Sequence, residues 1–314
     1  MVRPRASPGV AMRRYALVAD LGGTKIAVAR VEDTGRITHR LFAATPAAGG
    51  SAVVEALINL LRQLPTKDVC ALGVDVPGLA YPTGFVWAPN IPGWERMPVS
   101  KMLNRRFGLP VLVESDRNAF VTGEAWQGCA KRCRDVVFVT IGTGIGAGII
   151  SGGRLIRGCG ELAGCVGWMA VRDRFLSAYK SVGCLECHVA GPGIARAAQR
   201  TLQRAADARD VVRLARRGDP QARKVIASAG HYLGLALANL VDTLNPQMIV
   251  IGGGVAAAGN LLLAPARETM RQWAQPIAVK QVRIRRSRLG ARAGLLGAAK
   301  LCFDCFPTST STQQ

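Results

Sequence analysis

The chain has 314 residues, 49% of them hydrophobic, with 36 glycines and 16 prolines, a globular composition that excludes disorder, collagen and low-complexity sequence. At roughly 100–200 residues per domain, the length predicts two domains. Lys and Arg number 41 against 20 Asp and Glu, giving a formal charge of +21, and only eight of the cations are lysine.

The arginines are spread along the chain, densest at Arg283, Arg285, Arg286, Arg288 and Arg292, without interleaved aromatics. That spread argues against a specific nucleic-acid partner while favouring anionic substrates. Unbroken apolar runs fall far short of the ~20 residues that span a membrane, so no membrane partner is expected. Residues 1–11 lack apolar periodicity and read as a disordered extension. The apolar stretch 15–19 is shorter than the ~7–15 residues of a signal-peptide core. Nine cysteines, an odd number, then fit reduced thiols in a cytoplasmic protein.

A strand over 15–20 stops at Asp20-Leu21-Gly22-Gly23-Thr24-Lys25, resumes over 25–31, and turns at Gly35 into 37–43. Strand, glycine turn, strand is hairpin grammar. Val54, Leu57, Ile58 and Leu61 predict a helix over 51–63. A buried strand over 70–76 ends at Pro77-Gly78, an ordered loop rich in Pro, Gly and Trp covers 82–98, and a strand over 111–114 leads into a helix over 117–126. The pattern then restarts with strand 135–141, turn Gly142-Thr143-Gly144 and strand 145–150, so the chain reads as two related halves. Helices follow over 194–216 and 222–240, then a strand over 248–251 stopped by Gly252-Gly253-Gly254. A helix over 261–273, a strand over 282–284, a helix over 293–302 and a frayed polar tail, 307–314, complete the order.

The first glycine turn carries chemistry. A strand ends in the carboxylate of Asp20, and Gly22 and Gly23 let backbone N–H groups approach an anion with no Cβ in the way. Thr24 and Lys25 add a hydroxyl and a cation, and Asp20 suits a hydrated Mg²⁺; the competing reading is a plain hairpin tip. The second turn has glycines at 142, 144, 146 and 148. It is followed by a strand rather than a helix, which argues against a dinucleotide fold. One such hairpin from each half can clamp a polyphosphate across a cleft.

From residue 15 to about 303 the chain resembles the ROK sugar kinases, members of the actin–hexokinase–heat-shock ATPase superfold. Asp20 to Lys25 is similar to the family's first phosphate motif, and Gly142 to Gly148 to its second. Leu244-Asn245-Pro246 with Gly252, Gly253 and Gly254 resembles the nucleoside side, while Gly78 and Ala88-Pro89-Asn90 with Trp94 resemble the sugar-side loops. The resemblance implies that Asp116, in Glu114-Ser115-Asp116-Arg117-Asn118, is the general base that takes the proton of a sugar hydroxyl. A helix N-cap is the alternative for that residue.

The match departs in three places. Ser115 stands where the family has a sugar-contacting Asn. Cys165 and Trp168 stand at the positions of a sugar-binding Glu and of a His that also binds zinc; Glu161 is a nearby substitute for the former. Trp168 either stacks on the sugar or fills space left by the altered zinc loop. In that loop, Ser177 and Tyr179 occupy cysteine positions beside Cys184. The usual four-ligand zinc site is therefore not expected. A relocated set among Cys159, Cys165, Cys184, Cys187 and His188 is the alternative. Glu186 remains and, by the resemblance, hydrogen-bonds the sugar near its anomeric end.

The resemblance implies an α/β, two-domain, actin-like ATPase (duplicated ribonuclease H-like) fold with an interdomain cleft. The expected limits are 12–128 for the N-terminal domain and 129–289 for the C-terminal domain, with helix 290–306 crossing back to the first. The implied activity is phosphorylation of a hexose 6-hydroxyl, glucose by default, by a homodimer using ATP and Mg²⁺. A catalytically weak nucleotide- or sugar-binding protein is the rival reading. A family repressor would need a DNA-binding module ahead of residue 15.

Overall fold

The computed structural model describes residues 13–203 and 207–307. The expected extension 1–11 and nearly all of the tail 307–314 lie outside the described residues. Tyr15–Leu21 forms strand β1, Lys25–Glu32 β2 and Ile37–Ala44 β3, followed by helix α1 (Gly50–Leu61) and β4 (Val69–Val76). Leu79–Ala80 (β5) and Val86–Trp87 (β6) pair within the Pro-rich loop. That loop is ordered, as expected: Trp94 is fully buried and donates from Nε1 to Gly50 O at 2.9 Å. Helix α2 (Val99–Phe107), β7 (Val111–Ser115) and α3 (Asp116–Gln127) complete the first half.

The first sheet has the order β3-β2-β1-β4-β7. β1 to β3 are antiparallel, and β4 and β7 run parallel to β1. β1 is an apolar run buried on both faces, as a central strand must be. α1 lays Val54, Leu57, Ile58 and Leu61 against it through one stripe. Each fully buried aliphatic side chain there contributes ~1.5–3 kcal/mol.

The second half repeats the plan. Val136–Ile141 (β8), Ile145–Ser151 (β9) and Arg154–Leu155 (β10) are followed by short helices α4 (Tyr179–Val182) and α5 (Cys184–Val189). Then come α6 (Gly191–Leu202), α7 (Ala208–Arg216), α8 (Pro220–Leu244), β11 (Met248–Gly252), α9 (Asn260–Trp273), α10 (Pro276–Gln281) and β12 (Arg283–Arg286). The order β10-β9-β8-β11-β12 matches the first sheet strand for strand, with the hairpin antiparallel and the last two strands parallel. The helix expected over 194–216 is instead two helices, the second capped by Asp207, whose carboxylate accepts from Asp210 N–H at 2.8 Å.

α8 is long and apolar enough to cross a membrane, which unbroken runs do not reveal because polar residues interrupt it. It is a core helix: Ala229, Leu233, Leu237 and Val241 are buried in the second lobe's hydrophobic cluster. The last helix, α11 (Ala293–Cys305), returns to the first sheet, packing Leu295, Leu296 and Ala299 over Ala16, Val18 and Ala29. It meets α3 backbone to backbone, for a Cβ on Gly297 would lie 1.8 Å from Ala119 O. α3 in turn packs on β9, so α3 ties the two lobes together.

Candidate active site

Parallel pairing aligns three carboxyl side chains at the C-terminal ends of adjacent strands. Asp20 on β1 is in register with Asp75 on β4, and Asp75 with Glu114 on β7. Asp75 is completely buried, and as a carboxylate neither of its oxygens would have a donor. Burial, reinforced by Asp20, Asp116 and Glu114, pushes its carboxyl well above the usual range. The carboxyl of Asp20 is itself raised by burial and pulled back by Asp75, Arg40 and Lys25. α11 closes over the pair; a Cβ on Gly294 would lie 2.8 Å from Asp75 Oδ2.

Asp116 follows directly on this row. It is the first residue of α3, the cap position being Ser115, so the N-cap alternative for Asp116 is corrected by one residue. Its Oδ1 accepts the Arg117 N–H at 2.7 Å, one of the unpaired donors of a helix start. Burial nevertheless raises its pKa to about 7; Asp20 adds to the rise, and the Arg117 N–H and guanidinium oppose it.

Side-chain atoms of its neighbours in the chain lack protein partners: Ser115 Oγ, Arg117 Nε and Asn118 Oδ1 are buried and unpaired. Glu114 is held by Asn118 Nδ2 and Ser115 N–H, each at 2.9 Å, and by Arg157 Nη2 at 2.7 Å. Arg117 reaches across to the second lobe, donating to Glu161 O at 2.7 Å and to Cys165 Sγ at 3.4 Å. Sequence reasoning missed Asp75, Arg117 and Arg157. Asp75 lay inside the predicted strand 70–76 and Arg117 inside a quoted motif, but only strand register and the lobe contact show what surrounds them.

The first glycine turn follows Asp20, whose charge reaches Asp116, and the second hairpin packs on Arg117. At the first turn Asp20 precedes Gly22 and Gly23, and the Asn90 carbonyl comes within 3.6 Å of where a Gly23 Cβ would stand. The Lys25 ammonium rests over the Phe42 ring at 3.8 Å, while Thr24 contributes its carbonyl to Thr45 N–H. Gly78 passes so close to Trp87 O that a Cβ there would lie at 2.0 Å. At the second hairpin Arg117 Cδ packs by Gly146, beyond Gly142, Thr143 and Gly144. Glu186 sits at this second turn, its Oε2 accepting Ile145 N–H at 2.6 Å. Burial raises its carboxyl, and the Ile145 N–H opposes the rise.

Gly142 and Thr143 share a cavity of about 880 Å³ with Gly254, Val255 and the α6–α7 segment. Gly252 ends β11, and Gly253 takes a φ of 84°, open to glycine, where a Cβ would strike Ile141 O. Gly254 of the expected nucleoside side and Gly142 of the second phosphate turn thus border one space, whereas Gly144, Gly252 and Gly253 do not line it.

The altered positions also resolve. Trp168 is 55% exposed, so it does not fill a void left by the zinc loop. Tyr179 is buried and hydrogen-bonds His188 Nε2 at 2.7 Å, and His188 stacks on Tyr232 with ring centroids 4.2 Å apart. The five residues of the relocated-zinc alternative are not brought together, and among the described residues no three His, Cys, Asp or Glu side chains are grouped to hold a metal. Glu161 faces Arg157 at 3.7 Å, and burial with Glu114 nearby raises its carboxyl.

Two lobes of identical strand order, each opened by a glycine-turned hairpin and tied by a carboxylate-led helix, define a phosphotransferase of the actin-like ATPase class. The chain belongs to the ROK family, whose model matches residues 16–304. It is 33% identical to a glucokinase of Halalkalibacterium halodurans, over 92% of this chain and 94% of that one. It is 35% identical to an N-acetylmannosamine kinase of Citrobacter koseri, over 91% and 97%. A ROK family glucokinase from Streptomyces griseus, solved in complex with glucose and AMPPNP, superposes with a TM-score of 0.78 at 32% identity, covering 91% of this chain and 98% of that one.

Proposed function

We propose that this chain is an ATP-dependent hexose kinase that phosphorylates a 6-hydroxyl, glucose being the preferred acceptor, in the cytoplasm. The observation that carries the reading is Asp116: a part-buried carboxylate that leads α3, its pKa raised to about 7, next in the chain to the unpaired buried atoms Ser115 Oγ and Arg117 Nε. A general base works best with its pKa near the operating pH. Asp116 accepts the proton of the acceptor hydroxyl as that oxygen attacks the terminal phosphorus. Ser115, Asn118, Asn90, Gly78 and Glu186 are the groups assigned to hold the sugar. The turns at Gly22, Gly23, Gly142 and Gly144 supply backbone donors to the phosphates, and Gly252 to Gly254 border the nucleoside. Phosphoryl transfer needs mainly such alignment and charge neutralisation.

Asp20 fits a hydrated Mg²⁺, which favours one or two carboxylates and keeps its waters: it stands at the end of β1 before the first glycine turn, and Arg40 and Lys25 favour its charged form. Bound there through water, the ion would neutralise phosphate charge.

Cys165 and Trp168, in place of the family's Glu and His, favour a second reading, a weak nucleotide- or sugar-binding protein. A coupled ADP-release assay over glucose, mannose, fructose, allose, N-acetylglucosamine and N-acetylmannosamine separates the two. The kinase reading expects turnover that is highest on glucose. ATP binding without turnover on any of these sugars would establish the binding protein instead.

A further inference from the structure

Helix α5 carries a pair of cysteines three residues apart, Cys184 at its first position after the Gly183 cap and Cys187 almost one turn on. Residues at i and i+3 share a helix face. A rise of ~4.5 Å on a helix of ~2.3 Å radius puts their Cα atoms ~5 Å apart, inside the ~4.4–6.8 Å that a disulfide spans. Both sulfurs face the same corner of the fold. Cys187 Sγ lies 4.0 Å from the Ala178 carbonyl. Cys184 is felt by the next residue, Tyr179, where it adds to the rise that burial gives the hydroxyl. The thiols also sense each other: burial raises Cys187, Arg196 opposes the rise and Cys184 adds to it. Cys187 is half-buried, within reach of a small oxidant, and Cys184 is buried. The other pair at this spacing, Cys302 and Cys305, is built differently, because Cys302 is fully buried with its Sγ 2.7 Å from where a Gly73 Cβ would stand.

Glu186 lies between the two cysteines in the chain, and its carboxylate has no slack. Its Oε2 accepts Ile145 N–H at 2.6 Å, and Cβ atoms on Gly144 and Gly167 would stand 2.9 and 3.0 Å from that oxygen. In a regular helix Cβ atoms at i and i+3 are ~5–6 Å apart, whereas a disulfide holds them at ~3.8 Å. Closing the bond draws in the first turn of α5 by ~1–2 Å and moves Glu186 with it.

We infer that Cys184 and Cys187 form a reversible disulfide within α5, and that this bond displaces Glu186 and lowers the chain's efficiency toward its sugar. The kinetic consequence rests on the kinase reading above; the bond itself does not. In the step, the Cys187 thiolate attacks a sulfur of a small disulfide such as oxidised glutathione, whose S–S bond breaks and releases a thiolate. The Cys184 sulfur then attacks the mixed disulfide, forming the Cys184–Cys187 bond and releasing the second glutathione. The protein thiols are oxidised, the small disulfide is reduced to its thiols, and the protons of Cys184 and Cys187 pass to the departing thiolates. A disulfide strained in this way is readily reduced again.

The test treats the full chain with oxidised glutathione, alkylates the remaining thiols and maps the peptides by mass spectrometry. Turnover of glucose with ATP is measured before treatment, after it, and after dithiothreitol. The peptide holding Cys184 and Cys187 should escape alkylation and be lighter by the hydrogens of both thiols. With it, kcat/KM for glucose should fall at least ~10-fold, as a misplaced binding group predicts, and recover on reduction. Cys187→Ser should match the reduced parent and resist the oxidant, whereas Cys305→Ser should stay as sensitive as the parent; the parent's own map and kinetics stand without either variant. Alkylation of both Cys184 and Cys187, or a bond from either to another cysteine, overturns the disulfide. The bond with an unchanged kcat/KM, or an equal loss in Cys187→Ser, overturns its coupling to Glu186. A reduced chain that turns over no sugar removes the kinase reading, and the peptide map still decides the bond.

Discussion

Asp116 is the side chain whose protonation sets the rate in this account. Because its folded pKa is about 7, kcat/KM should climb with pH through about 7 and level off above it; a profile flat from pH 5 to 9 would contradict the base assignment. Asp116→Asn should keep ATP affinity and lower kcat at least ~10²-fold. The same shift has a stability consequence. A carboxyl whose folded pKa exceeds its unfolded value binds more protons in the native state, so it stabilises the fold below pH ~4 and loses that contribution as pH rises through about 7. Asp116→Asn should therefore melt higher than the parent at pH 8, with the difference vanishing near pH 4. Asp75 gives a different expectation. Burial pushes its carboxyl well upward, toward the neutral form that an amide copies. Asp75→Asn should hold stability and activity close to the parent. Asp75→Ala should lose ~1–3 kcal/mol in urea unfolding and most of the turnover. Equal behaviour of the two variants would remove the neutral-acid reading.

Among the secondary-structure elements, the contact between α11 and α3 is the tightest joint near the site. Gly297→Val places a side chain against Ala119 O, where even a Cβ would stand 1.8 Å away. The helices must separate, and a loss of ~3 kcal/mol or more is expected in denaturant titration, together with lower kcat because α3 carries Asp116. A stability within ~0.5 kcal/mol of the parent would show that α11 does not pack as described. Most elements were legible in the sequence because their signals are local: alternation or apolar runs bounded by glycine for the strands, and a stripe of Val54, Leu57, Ile58 and Leu61 for α1. α2 escaped notice because only Val99 and Leu103 are buried in it. Pro98 before it and Gly108 after it, whose N–H closes the helix on Asn104 O at 2.8 Å, were the available cues. Ser177 and Tyr179, at positions where the resemblance implied cysteines, could be read from the sequence. The partners of Tyr179 could not, since Tyr179, His188 and Tyr232 meet only through the packing of α4, α5 and α8.

In the molecule as a whole, duplication explains both what could be read and what could not. Two hairpins with glycine turns announced two matching sheets, and the observed strand orders agree one for one. The motif residues Asp20, Gly142 and Asp116 could be found because each sits in its own short signature. The row Asp20, Asp75, Glu114 could not, because it exists only once β1, β4 and β7 pair in parallel. The ties across the lobes, Arg117 to Glu161 O and Arg157 to Glu114, depend likewise on how the halves meet. The crystal structure of a ternary complex with glucose and a non-hydrolysable ATP analogue examines all of this at once. It should find an Asp116 carboxylate oxygen within ~2.6–3.2 Å of the sugar 6-hydroxyl, with the backbone at Gly22–Gly23 and at Gly142–Gly144 against the phosphates. A sugar whose 6-hydroxyl faces another residue, or phosphates gripped by only one of the two turns, would contradict it.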